Sequence, residues 1–150
     1  LALGLPLIGH TGKLRGLPVA WEEFGAEAER IRAKLEAETG QPPLIVGMDT
    51  YNVASELGFY RTGPAALESV TSQNLFGRNG LMFGAWFSDR SPDGRNVIMI
   101  NVKEAGVSDE GLSAWFESIG PVERQAVQKN GAVVGRFFYR IGYGFRRRDR

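Results

Sequence analysis

The sequence predicts an α/β domain, a layered mixed sheet with flanking helices and a C-terminal antiparallel hairpin. Three observations predict it. Apolar residues Phe24, Ala28, Ile31 and Leu35 recur at helical spacing, "LIVGM" and "NVIMINV" are continuous apolar runs of strand length, and an Asn130-Gly131 pair separates two further strand-like stretches. Helical and strand patterns that alternate along one chain point to helices layered on a sheet. The 150 residues suit one core, and 43% apolar with 23% charged residues lies close to globular averages.

Residues 1–18 carry Gly4, Gly9, Gly12, Gly16, Pro6 and Pro18 among isolated leucines, too much punctuation for regular structure, so a connecting arm is expected. The helix that follows turns Glu23, Glu29, Arg30, Lys34 and Glu36 away from its apolar stripe. It should end at "ETGQPP", where Gly40 can adopt the left-handed conformation and the prolines forbid continuation. "LIVGM" is the first strand, and a second helix starts directly after it with a stripe of Val53, Leu57 and Tyr60. "TGP" closes that helix, "ALESV" offers a second strand, and "NVIMINV" has the β-branched continuity of a strand covered on both faces.

Residues 71–95, rich in Gly, Asn and Ser around Phe76, Phe83 and Trp86, read as a long aromatic-anchored loop. "SDEGLSAWFESI" reads as a short helix with Ser108 as N-cap and Glu110 in its first turn. "PVERQAVQ" and "AVVGRFFYRIGYGF" then form the hairpin. Along its second strand Val133, Phe137 and Tyr139 are expected to face a core, and Arg136 and Arg140 water or an acidic surface.

The composition narrows the chemistry. Zero cysteines remove thiolate catalysis, disulfides and Cys-ligated metals, and His10, the single histidine, lies in the arm with no second imidazole to complete a zinc set. The longest apolar run, "LALGLPLIG", is far short of the roughly 20 residues of a spanning helix. It also lacks the charged region and initiating Met of a signal peptide, so the chain reads as a segment of a longer one. "GHTGKL" fails as a P-loop, no G-x-G-x-x-G opens a helix, and no G-x-S-x-G elbow presents a nucleophile.

Asp49 draws attention because open α/β sheets place ligands past the carboxyl ends of their strands. The competing reading is a helix cap, in which the carboxylate accepts orphan backbone N–H groups. Glu56 shares a face with Asn52, Ser55 and Phe59, opposite the apolar stripe, which is either a presented carboxylate or a solvated face. Seven residues separate it from Asp49, about 10 Å of helix rise, too far for a tight carboxylate pair.

The net charge of +1 hides six of fourteen arginines between Arg136 and Arg150. Interleaved aromatics and arginines can stack bases, but strand alternation explains them equally, and no nucleic-acid partner is expected. A basic end with Arg146, Arg147 and Arg148 suits anionic lipid head groups.

Several stretches together resemble the C-terminal extracytoplasmic domain of bacterial membrane glycosyltransferases of family 39, enzymes similar to protein mannosyltransferases and to the aminoarabinose transferase of lipid A. The matching positions are Trp21, then Asp49, Tyr51, Ala54, Ser55, Glu56, Leu57, Phe59, Tyr60 and Gly63, then Gly77, Arg78 and Trp86, and finally "FFYRIGYGFR", over roughly residues 19–146. "NGLMFGAW" departs from the more polar run that precedes the tryptophan in that family.

The resemblance implies an accessory domain, residues 18–150, on the periplasmic face of the bacterial inner membrane, with residues 1–17 as the membrane-proximal arm. The whole enzyme would move a sugar from a polyprenyl-phosphate carrier to an extracytoplasmic acceptor, with its catalytic residues outside this chain and no cofactor within it. The implied partners are the membrane domain of the same polypeptide and the lipid-linked sugar or acceptor, met by Asp49, Tyr51, Glu56, Arg78 and Trp86. A different reading is a free-standing α/β ligand-binding module or small enzyme with its site near Asp49.

Overall fold

The computed structural model describes residues 20–50, 52–60, 69–80 and 92–148. The expected arm at 1–17, His10, Tyr51, the "TGP" helix end, most of "ALESV", and Phe83 and Trp86 lie outside the described residues.

Helix α1 (Trp21–Thr39) buries the predicted stripe of Phe24, Ala28, Ile31 and Leu35 together with Gly25, and Gly40 closes it at φ 70°, ψ 8°. Most of the stability of a helix in a folded protein comes from packing its apolar face, here that stripe, each fully buried large side chain contributing about 1.5–3 kcal/mol. Strand β1 (Leu44–Gly47) is buried throughout, and α2 (Asn52–Tyr60) buries Val53, Ala54, Leu57 and Gly58, with Tyr60 half-buried. Gly47 is required where β1 passes under α2, because a Cβ there would collide with the backbone of Ala54.

Strand β2 (Val70–Ser72) begins where "ALESV" ends, and β3 (Val97–Asn101) is buried at every residue. The run 71–95 is therefore not all loop. Its first two residues belong to β2, and a 3₁₀ turn, Gln73–Phe76, follows because the Ser72 side chain accepts the Asn74 N–H and holds the chain in a turn.

The short helix expected over 108–119 is also corrected. A 3₁₀ segment spans Glu110–Trp115, capped by Asp109 rather than Ser108, and the remainder is strand β4 (Phe116–Ile119). Pairing decides this, since Phe116, Ser118 and Ile119 register against Phe145, Tyr143 and Gly142 of a neighbouring strand, a ladder that takes the place of about one further helical turn. The hairpin is as predicted. Strands β5 (Glu123–Lys129) and β6 (Ala132–Phe145) are joined by Asn130 at φ 52° and Gly131 at φ 78°, the left-handed pair of a tight two-residue turn.

The described strands form one mixed sheet of order β2-β1-β3-β6-β4, with β5 also on β6. Strands β1, β2 and β3 run parallel, and β6 is antiparallel to β3, β4 and β5. Both faces are covered. Helices α1 and α2 lie on one, over Ile45, Val70, Ile98, Ile100, Val127 and Phe137. The 3₁₀ segments lie on the other, where Phe76, Trp115, Phe116 and Phe145 cluster with Leu44, Val46, Val97 and Met99.

Two expectations for β6 are corrected. Val133 is 66% exposed, whereas Phe137 is fully buried. Val127 pairs with Gly135 but Gln128 with Val133, so Val134 is an extra residue, and this bulge puts Val133 and Phe137 on opposite faces. Arg140 does not face water. It is only 8% exposed, opposite Met99, and its Nε donates to the Gly120 carbonyl at 2.7 Å.

Candidate functional site

Strand β1 lies between β2 and β3, so the chain leaves β1 to one side and later returns on the other. Such a reversal opens a crevice at the carboxyl ends of the strands, the place where α/β sheets bind ligands. Asp49, the first polar residue past β1, stands there.

Its carboxylate caps α2. The Val53 N–H donates to Oδ1 at 3.1 Å and to Oδ2 at 3.2 Å. Burial pushes the Asp49 carboxyl above its ordinary range, while hydrogen bonds from the Val53 N–H and from Asn52 pull the other way. The cap reading of the sequence thus describes the contact, and desolvation adds a carboxyl that holds its proton to higher pH than usual.

Across the crevice, Asn101 is buried, donates from Nδ2 to the Met48 carbonyl and accepts the Lys103 N–H on Oδ1 at 2.9 Å. On the β2 side, Thr71 and Ser72 both donate to Asn74 Oδ1, at 3.1 and 3.0 Å. The polar groups at these strand ends are largely spent on one another and on the backbone.

The remaining expected residues are dispersed. Glu56 is half-buried on the outer face of α2, with Asn52 and Ser55 exposed and Phe59 78% exposed beside it. Arg78 follows the Gln73–Phe76 turn on the opposite side of the sheet and pairs with Asp109. That aspartate also accepts the Gly111 N–H at 2.8 Å, and this backbone bond first, then the Arg78 guanidinium, holds its carboxyl below the ordinary range. Arg78 thus clamps one 3₁₀ segment to another. Tyr51 and Trp86 lie outside the described residues.

One end of the sheet gathers more than the other. Asn101 pairs with Phe138, so the hairpin projects beyond the carboxyl ends of β1 and β3. The start of α1 is at this end too, through Glu23 and Lys129 at 3.1 Å and through Phe24 against Phe137 with ring centroids 4.8 Å apart. Arg146 and Arg147 are at the other end, where Arg146 pairs with Glu117 at 2.9 Å and the Arg147 N–H donates to Asp93 at 2.9 Å.

At the hairpin end a groove of about 320 Å³ is lined by Glu104, Val122, Glu123, Arg124, Arg136 and Phe138. Sequence reading assigned none of these to a site. Among the described residues, no group of three or more His, Asp or Glu side chains is placed to hold a metal ion, and no helix is long and apolar enough to cross a membrane. Comparison with family models, with curated proteins and with solved structures finds no match to this chain.

Proposed function

We propose that this chain is the extracytoplasmic accessory domain of a membrane-embedded glycosyltransferase that uses a polyprenyl-phosphate-linked sugar, and that it meets the membrane domain with the outer face of α2. The observation that carries the docking face is Phe59, 78% exposed in the same segment that carries the family resemblance. An aromatic side chain left in water beside Asn52, Ser55 and Glu56 has the make-up of an interface anchor with a polar rim. The other face of α2 is fully committed, through Val53, Ala54 and Leu57, to the sheet and α1.

In this arrangement residues 1–17 are the arm that joins the membrane domain to α1, whose start lies at the hairpin end of the sheet. Head-group contact through Arg146, Arg147 and Arg148 falls at the end of the sheet away from the hairpin. The 14-residue β6 strand separates those arginines from the hairpin turn by about 45 Å.

The test is Phe59→Ser and Glu56→Ala in the full-length enzyme, with sugar transfer and domain assembly as readouts. At least a tenfold loss of transfer with normal domain folding is expected. Unchanged turnover and assembly overturn the docking assignment, and an upstream reading frame without a series of apolar spans overturns the transferase reading itself.

The switch point at β1 and the raised Asp49 carboxyl favour a second reading, a free-standing α/β ligand-binding module or small enzyme with its site near Asp49. A Met start close upstream with no membrane spans is its signature.

A further inference from the structure

We propose that the outward face of the β5–β6 hairpin is a binding site for a phosphorylated saccharide, held by Arg124 and Arg136 around the ring of Phe138. This goes beyond the accessory-domain reading and does not depend on it.

The register builds the site. Arg124 pairs directly with Phe138, and Arg136 pairs with Ala126, so both arginines and Phe138 share one face of the ribbon. Arg140, two residues along β6 from Phe138, lies on that face as well. Of these, Arg124 and Arg136 line the groove with the half-buried Phe138, one directly across from it and one two residues along its strand.

Two arginines and two glutamates line the groove, and the arginines are not ion-paired. Arg124 and Arg136 are exposed, and neither has a carboxylate within ion-pair distance among the described residues. Arg140, more than nine-tenths buried and bonded to the Gly120 carbonyl, does not line the groove. Paired arginines are the residues of choice for phosphate, which they bind through two parallel N–H donors each.

The rest of the groove fits a hydroxylated ring rather than a bare ion. Its volume of about 320 Å³ is at the lower end for small-ligand sites. Phe138 and Val122 offer an apolar floor to the C–H face of a sugar, and Glu104, on the wall, is a hydroxyl acceptor that a bare anion would avoid. Such a ligand can be free in solution or be the head group of a lipid.

The experiment titrates the 150-residue protein with glucose 6-phosphate, glucose, inorganic phosphate and adenosine monophosphate, following amide shifts in NMR spectra and heats by calorimetry. Vesicles containing phosphatidylinositol and vesicles containing phosphatidylglycerol distinguish a head group from a soluble ligand. Saturable binding of glucose 6-phosphate or of phosphatidylinositol vesicles is expected, with shifts confined to 104, 122–124 and 136–140. The double variant Arg124→Gln/Arg136→Gln should weaken it at least tenfold, and Lys34→Gln, on the distant exposed face of α1, should leave it unchanged.

Both substituted arginines are exposed, and retained far-UV circular dichroism checks the fold of the double variant. Phosphate or phosphatidylglycerol binding as tightly as the sugar-bearing probes overturns the proposal, as does tighter binding of the nucleotide. Absence of saturable binding by any probe, or binding indifferent to the double variant, overturns it equally.

Discussion

The side chain of Asn101 donates a hydrogen bond to the main-chain carbonyl of Met48, tying the end of β3 to the end of β1 where the strand order reverses. The same side chain accepts the Lys103 N–H at 2.9 Å, so one buried amide serves two backbone groups. Asn101→Leu leaves both unsatisfied, and a loss of about 1–3 kcal/mol follows from that kind of orphaning. Urea denaturation of the variant measures it, and a change below about 0.5 kcal/mol contradicts the role.

Asp109 makes a pH-dependent clamp. Its carboxyl is held below its ordinary 3.8 by the Gly111 N–H and by Arg78. A lowered folded-state value stabilises the fold above the unfolded value and is lost as pH falls through the lower one. Asp109→Asn should therefore be less stable than the parent at pH 7, by about 1 kcal/mol for a weakened cap and a partly screened ion pair. The gap should close as pH falls below 3.8. Thermal melts of both proteins between pH 7 and pH 3, values chosen to bracket the ordinary aspartate range, test the convergence.

Asp49 has the opposite sign. Burial raises its folded-state value, so its contribution is greatest below the ordinary 3.8 and is lost as pH rises through the raised value. At neutral pH the ionised carboxylate is a desolvated burden as well as a cap. Asp49→Asn keeps an oxygen for the Val53 N–H without the charge and should match or exceed the parent in stability at pH 7. Asp49→Ala, which loses the acceptor, should fall below the Asn variant by about 1 kcal/mol. Equal stability of the two variants would remove the capping role.

Gly47→Ala places a methyl group against the Ala54 backbone, where α2 sits on β1. Main chain on both sides cannot yield as a side-chain tip could, so a loss of about 1–3 kcal/mol is expected. Its companion, Gly40→Ala, meets open space and suffers only the strain of φ 70°, about 1–2 kcal/mol. Paired denaturation curves separate steric from conformational cost, because only Gly47→Ala should alter amide shifts in the first turn of α2.

The sequence made local elements legible wherever side-chain period and punctuation agreed. The stripe from Phe24 to Leu35 with its Gly40 stop, the run Val97–Asn101 and the Asn130-Gly131 turn each carry their own instruction. What stayed illegible depends on pairing between distant segments. Phe116–Ile119 looks helical alone and becomes strand because β6 offers it an edge. The hairpin arginines were invisible for a sharper reason. In a regular ladder, with Val134 paired to Val127, Arg124 would pair with Phe137 and Arg136 with Gln125, putting the two arginines on opposite faces. The bulge moves them onto one. Asp49 was singled out correctly as a residue at a strand end, but its raised carboxyl comes from burial that no local pattern encodes.

Strand β6 serves in turn as partner to β5, β3 and β4. Because it is the last of these strands to leave the ribosome, the β3 rim must wait, bare, until β6 is synthesised. Nascent copies stalled shortly before Ala132 would present an apolar parallel half-sheet with an open flank, and such chains should need a holding chaperone that completed ones do not.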